Sequence, residues 1–157
     1  MNKVWRGRLV RYTPFILWTG VVMGFSTSGA SMNRTSRFIR PLLEFLFPDA
    51  PEQTLFLYHG IIRKSAHFIE YAILAALAYR AFRESSKILL ASHPFLAALL
   101  SVAIVAVVDE TYQSFDPSRT GSPIDVLIDL SGALAALAAA RFFVRKRKID
   151  KSDNHPV

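Results

Sequence analysis

The 157-residue chain has no cysteine, so no disulfide framework holds it together. It has no H-E-x-x-H or comparably tight run of ligand residues, so linear spacing marks no metal site. It has no repeat of fixed period, and no low-complexity tract apart from the alanines of 133–140. Charge is missing over long stretches. Nineteen Lys and Arg and twelve Asp and Glu are bunched, and the segments between the bunches are almost uncharged. With 52% apolar residues this excludes a disordered chain. It also argues against one soluble core, because too little polar surface is left to clothe several apolar helices.

Four apolar segments lie between the charges, at about 13–25, 61–82, 88–108 and 124–144. A membrane-crossing helix needs about 20 mostly apolar residues at about 1.5 Å rise each. The fourth segment meets this cleanly and the second by length. The third does so only with residues 88–92 included. The first is short unless it extends at both ends. Helices satisfy their own backbone hydrogen bonds, as hydrocarbon demands. The expected fold is therefore all-α and polytopic, with four transmembrane helices in a single domain over 1–157. Its core covers 13–144, and residues 145–157 form a basic cytoplasmic tail. In the first outer loop, residues 38–47 are apolar around Pro41 and suit a short re-entrant or interfacial helix.

The first segment has a second reading. Lys3, Arg6, Arg8 and Arg11 precede its 13-residue apolar run, and Ser28-Gly29-Ala30 follows, an arrangement that also suits a cleaved secretory signal. Either way the chain reaches Ser31 on the outer side. Orientation follows from the basic residues. With the N-terminus inside, thirteen of the nineteen fall on inner segments, including Arg80, Arg83, Lys87 and the run Arg145 to Lys148. Six fall outside: Arg34, Arg37, Arg40, Arg63, Lys64 and Arg119. Both termini are thus expected in the cytoplasm, with the chain in the cell membrane. The basic tail suits anionic lipid rather than nucleic acid. Trp5, Trp18 and Tyr12 fit interfacial belts.

The residues that carry chemistry interrupt these segments. Ionisable groups inside a spanning helix are costly and usually functional. Lys64, His67, Glu70 and Tyr71 share one arc of the second helix at about 100° per residue. Asp109, Glu110 and Gln113 end the third, and Asp125 and Asp129 begin the fourth, where Gly132, Ala133, Ala136 and Ala140 continue the same side. Small residues there allow close helix approach. All three stripes fall at the outer ends, so topology brings them to one depth. Lys64 and Arg119 are then available to neutralise some of the carboxylates. Ser122 and Pro123 read as an N-cap followed by proline at N1, with Asp125 at N3.

His67 suits proton transfer, metal ligation or a structural bond to a carboxylate. Asp109 and Glu110, being adjacent, point about 100° apart on a helix. One is expected to face the cluster and the other to meet Lys64 or Arg119. If the site is catalytic, His67 with Glu70 or Asp109 moves the proton. Lys64, Tyr71, Glu110, Gln113, Arg119, Ser122 and Asp125 would bind substrate, with Arg119 suited to bidentate capture of phosphate or carboxylate. No cofactor and no oligomeric state follow from these residues.

The strings RKSAHFIEYAILA and DETYQSFDPSRTGSPIDVLIDLSG resemble the VanZ-like family. That family pairs K-x-x-H-F-x-E-Y with a later D-E-x-x-Q-x-F-x-P-x-R-x-G-S-x-x-D. The matching positions are Lys64, His67, Phe68, Glu70 and Tyr71, then Asp109, Glu110, Gln113, Phe115, Pro117, Arg119, Gly121, Ser122 and Asp125. Asp129 departs from the pattern, standing where many members carry Asn. The resemblance implies a multi-pass membrane protein associated with teicoplanin and glycopeptide resistance. It points to membrane lipids and a lipid-linked cell-envelope precursor as partners. The leading expectation is a protein whose outer polar pocket binds or acts on an anionic or lipid-linked envelope molecule. A structural or assembly subunit and a small ion-coupled transporter are the alternatives.

Overall fold

The computed structural model describes residues 3–26, 32–115 and 122–153. These residues are helical with short connections and include no strand. Six helices follow one another: α1 (Lys3–Phe25), α2 (Met32–Leu46), α3 (Glu52–Arg83), α4 (Ile88–Ser92), α5 (Pro94–Ser114) and α6 (Pro123–Asp153).

The expected segments are present but their ends move. α1 begins ten residues before the apolar run, because Arg and Lys are as good helix formers as the apolar residues they precede. α3 starts nine residues before its apolar segment. The third segment is not one helix: the chain breaks at His93, and Pro94 starts α5. Proline lacks the N–H that a continuing helix needs but is tolerated at N1. α5 recovers its length at the other end by taking Asp109, Glu110 and Gln113 into the helix. α2 fills the place expected for the interfacial helix, although it starts six residues earlier.

α3 is the hub. It packs most extensively on α6, then on α5, α1 and α2. Its second half is rich in alanine, and Ala75, Ala78 and Ala81 are fully buried. Ala98 and Ala106 on α5 and Ala133 on α6 are buried as completely. Side chains this small let helix axes approach closely. Gly132 on α6 is the tightest point, since a Cβ there would collide with the backbone of Phe68 on α3. The small-residue side expected on α6 is thus the side that docks.

α1 is tied along α3. The indole Nε1 of Trp18 donates to the Glu70 carbonyl at 3.0 Å, and the Tyr12 and Ser85 hydroxyls are 2.7 Å apart. Trp18 and Tyr12 are half-buried against the core, their polar tips meeting α3 and the residues just after it. Val22 of α1 is buried in the same core. α2 is held to the start of α3 by Arg40, whose guanidinium lies 2.7 Å from both Glu44 and Glu52.

Among the described residues two helices, 94–114 and 123–146, are long and apolar enough to cross a membrane. Only 28% and 22% of their apolar windows are buried inside the fold. A core helix of a soluble domain is covered on most sides; these present Ile104, Leu127 and Phe142 outward.

Candidate functional site

The three polar stripes converge. His67 and Tyr71 come from α3, Asp109, Glu110 and Gln113 from α5, and Asp129 from α6. Asp109 and Gln113 are 1% exposed and Asp129 is fully buried, so these groups have no access to bulk water for solvation. The Tyr71 hydroxyl donates to Asp109 Oδ2 at 2.9 Å. The Ser122 backbone N–H donates to Glu110 Oε2 at 2.9 Å. His67 Nδ1 lies 3.3 Å from Asp129 Oδ1, an ion pair when the imidazole is protonated, without the alignment of a hydrogen bond.

One expectation changes among the described residues. Asp109 and Glu110 do not divide between cluster and cation. Both side chains turn inward, and the helix between them is unbroken. α5 is wedged against both α3 and α6, so a 100° arc of it is enclosed, and the extra methylene of glutamate reaches the start of α6. His67 meets the carboxylate of Asp129, in line with one of its three readings, while Glu70 is half-buried beside it.

Lys64 takes a different carboxylate. Its Nζ lies 3.3 Å from Asp125 Oδ1, with the lysine 53% exposed and the aspartate 14%. Ser122 caps α6 as expected: its Oγ accepts the N–H of Ile124 at 3.2 Å. Arg119, Pro117 and Gly121 lie outside the described residues.

Two cavities flank His67. One, of about 220 Å³, lies between α1, α2, α3 and α5 and is lined by Arg63, His67, Glu70, Asp109 and Gln113 with apolar Val22 and Ile62. The other, of about 340 Å³, lies between α3 and the start of α6, against Arg63, Lys64, His67, Ser122 and Asp125. Arg63 borders both, yet no motif position drew attention to it. Its spacing from His67 and Glu70, four and seven residues, places it on the same arc and could have done so.

The buried side-chain atoms remain short of partners. Asp109 Oδ1, Glu110 Oε1, Gln113 Oε1 and both oxygens of Asp129 have no hydrogen-bond partner among the described residues. A cluster serving only to staple helices would be closed by its own hydrogen bonds, since each orphaned group costs roughly 1–3 kcal/mol.

Compared with known protein families, residues 12–144 match VanZ/LLP1. No curated protein and no solved structure matches the chain.

Proposed function

The chain belongs to the VanZ/LLP1 family, and from that membership together with the site we propose a polytopic membrane protein that binds an anionic, lipid-linked molecule of the cell envelope. In this reading α1, α3, α5 and α6 cross the cytoplasmic membrane, both termini are cytoplasmic, and α2 lies at the outer interface. The three stripes then sit in the outer half of the bilayer. α3 carries Arg63, Lys64, His67 and Glu70 into that half, where Lys64 meets Asp125 and His67 meets Asp129, both on α6.

The observation that carries the reading is the cavity beside His67. Its walls combine Val22, Phe25, Ile39 and Ile62 with Arg63, His67, Glu70 and Gln113. A pocket of this mixed character accepts an amphiphile, with the acyl or prenyl portion against the apolar wall and the head group against the polar one. Arg63 and Lys64 supply positive charge where an anion would enter. His67, between the two cavities, is the group placed to exchange a proton with a bound head group, and Glu70 or Asp109 would share that proton.

The test is expression of the wild-type chain and of His67→Ala in one bacterial host, at matched membrane levels, with teicoplanin susceptibility measured. Wild type is expected to lower susceptibility and the variant to lose the effect. Full protection by a normally inserted His67→Ala protein would sink the site assignment.

A further inference from the structure

His67, Asp109, Glu110 and Asp129 each offer one ligand atom, and the four atoms lie within 4.8 Å of one another. We propose that these side chains form a binding site for one divalent first-row transition-metal cation. The proposal stands on this geometry; with the ion bound, His67 and Asp109 are its ligands and Glu70 is the group left to exchange a proton with whatever the neighbouring cavity binds.

The distances suit such an ion. Metal–nitrogen and metal–oxygen bonds of about 2.0–2.2 Å put ligands on opposite sides of the ion about 4.2 Å apart. Around a tetrahedral ion the ligand atoms stand about 3.4 Å apart, so from a mutual separation within 4.8 Å each of the four moves inward by at most about 0.8 Å. One imidazole nitrogen with three carboxylates is a donor set for zinc, manganese or iron, harder than the thiolate sites that select copper(I) and softer than the all-oxygen sites of calcium.

Charge points the same way. Three carboxylates from two helices converge in a space largely closed to water, and a divalent cation offsets most of their mutual repulsion. Lys64 pairs with Asp125 instead. The outer ring of contacts is already built. Tyr71 holds one oxygen of Asp109, and the Ser122 N–H holds one of Glu110, leaving Oδ1 and Oε1 free. Ligating carboxylates are positioned by such second contacts.

A further group, outside the acidic set, shares the cavity with two of the four ligands. The Gln113 side chain is 1% exposed, lines the cavity with His67 and Asp109, and its amide oxygen has no partner among the described residues. A neutral oxygen buried and left open in the cavity that His67 and Asp109 line is suited to a cation that it can ligate directly or through water. Such an ion also explains how an acidic pocket accepts an anionic head group, since the metal would face it.

The full chain, purified in detergent and stripped with a chelator, should be dialysed against Zn²⁺ or Mn²⁺ alone and its metal content and thermal midpoint measured. Wild type is expected to take up one equivalent per chain and to melt higher with metal than without, reversibly on re-chelation. Asp129→Asn and Asp109→Asn should each weaken binding at least about ten-fold, and Glu44→Gln on the surface of α2 should not. Should the asparagine variants fail to fold, the wild-type midpoint decides. A midpoint unmoved by both metals, a folded wild type with no stoichiometric ion, or binding unaffected by both Asn variants overturns the site.

Discussion

Replacing Gly132 with alanine should damage both the fold and the site, and the size of the effect follows from the α3–α6 contact. A Cβ at this position would lie 3.0 Å from the carbonyl carbon of Phe68, 3.1 Å from its Cα, and closer still to its oxygen. Carbon atoms in comfortable contact are about 3.5–4.0 Å apart. The obstacle is backbone, so no rotamer change relieves it and one helix must move. Overpacking of this kind costs about 1–3 kcal/mol. For a chain of this length each kcal/mol moves the thermal midpoint about 2–4 °C, so a fall of about 2–12 °C is expected. The displacement also reaches the polar cluster. His67 precedes Phe68, and Asp129 lies one turn before Gly132, so separating the helices lengthens the 3.3 Å His67–Asp129 contact. Circular-dichroism melting in detergent reads the first effect, and loss of teicoplanin protection or of metal uptake reads the second. Gly20→Ala is the control. Nothing lies within 4 Å of a Cβ built there, so only the helix propensity of alanine counts, and it raises stability by up to about 1 kcal/mol. A Gly132→Ala protein melting within about 1 °C of wild type would refute the close-approach account.

Tyr71→Phe leaves Asp109 Oδ2 without its donor in a buried setting and should destabilise by about 1–3 kcal/mol, read by the same melts. Trp18→Phe removes the indole bond to the Glu70 carbonyl at the cost of about 0.5–1.5 kcal/mol, a loss that should appear as easier proteolysis between α1 and α3. Lys64→Gln breaks a half-exposed pair and should cost no more than about 1 kcal/mol, so a larger fall in stability would mean the lysine is more enclosed than the structure has it. The chain has no cysteine of its own, so single cysteines report topology cleanly. Glu52→Cys should react with an impermeant thiol reagent on intact cells and Glu84→Cys only after lysis; the reverse pattern refutes the orientation.

Much of the architecture was legible in one dimension. Apolar run length marked α1, α3 and α6, and the Ser122-Pro123 pair marked the start of α6, because capping and helix continuation depend on residues within one turn. The break at His93-Pro94 was carried by the proline, yet the apolar count ran across it. Hydropathy alone did not register that a missing N–H ends one helix and starts another. The polar stripes were legible too, since a period of 3.6 residues places Lys64, His67 and Tyr71 on one arc whatever lies opposite.

Partner choice was not legible. That His67 meets Asp129 rather than Glu70, that Lys64 is spent on Asp125, and that both Asp109 and Glu110 turn inward all depend on where three helix axes pass one another. Gly132, Ala75 and Ala106 set those axes by letting backbones approach, and side-chain length then selects which oxygens arrive together. Helix identity and the spacing of polar residues along each helix are local properties and were determined along the chain. The convergence of four ligating atoms within 4.8 Å is a property of the packing, because it joins groups from α3, α5 and α6 up to 62 positions apart.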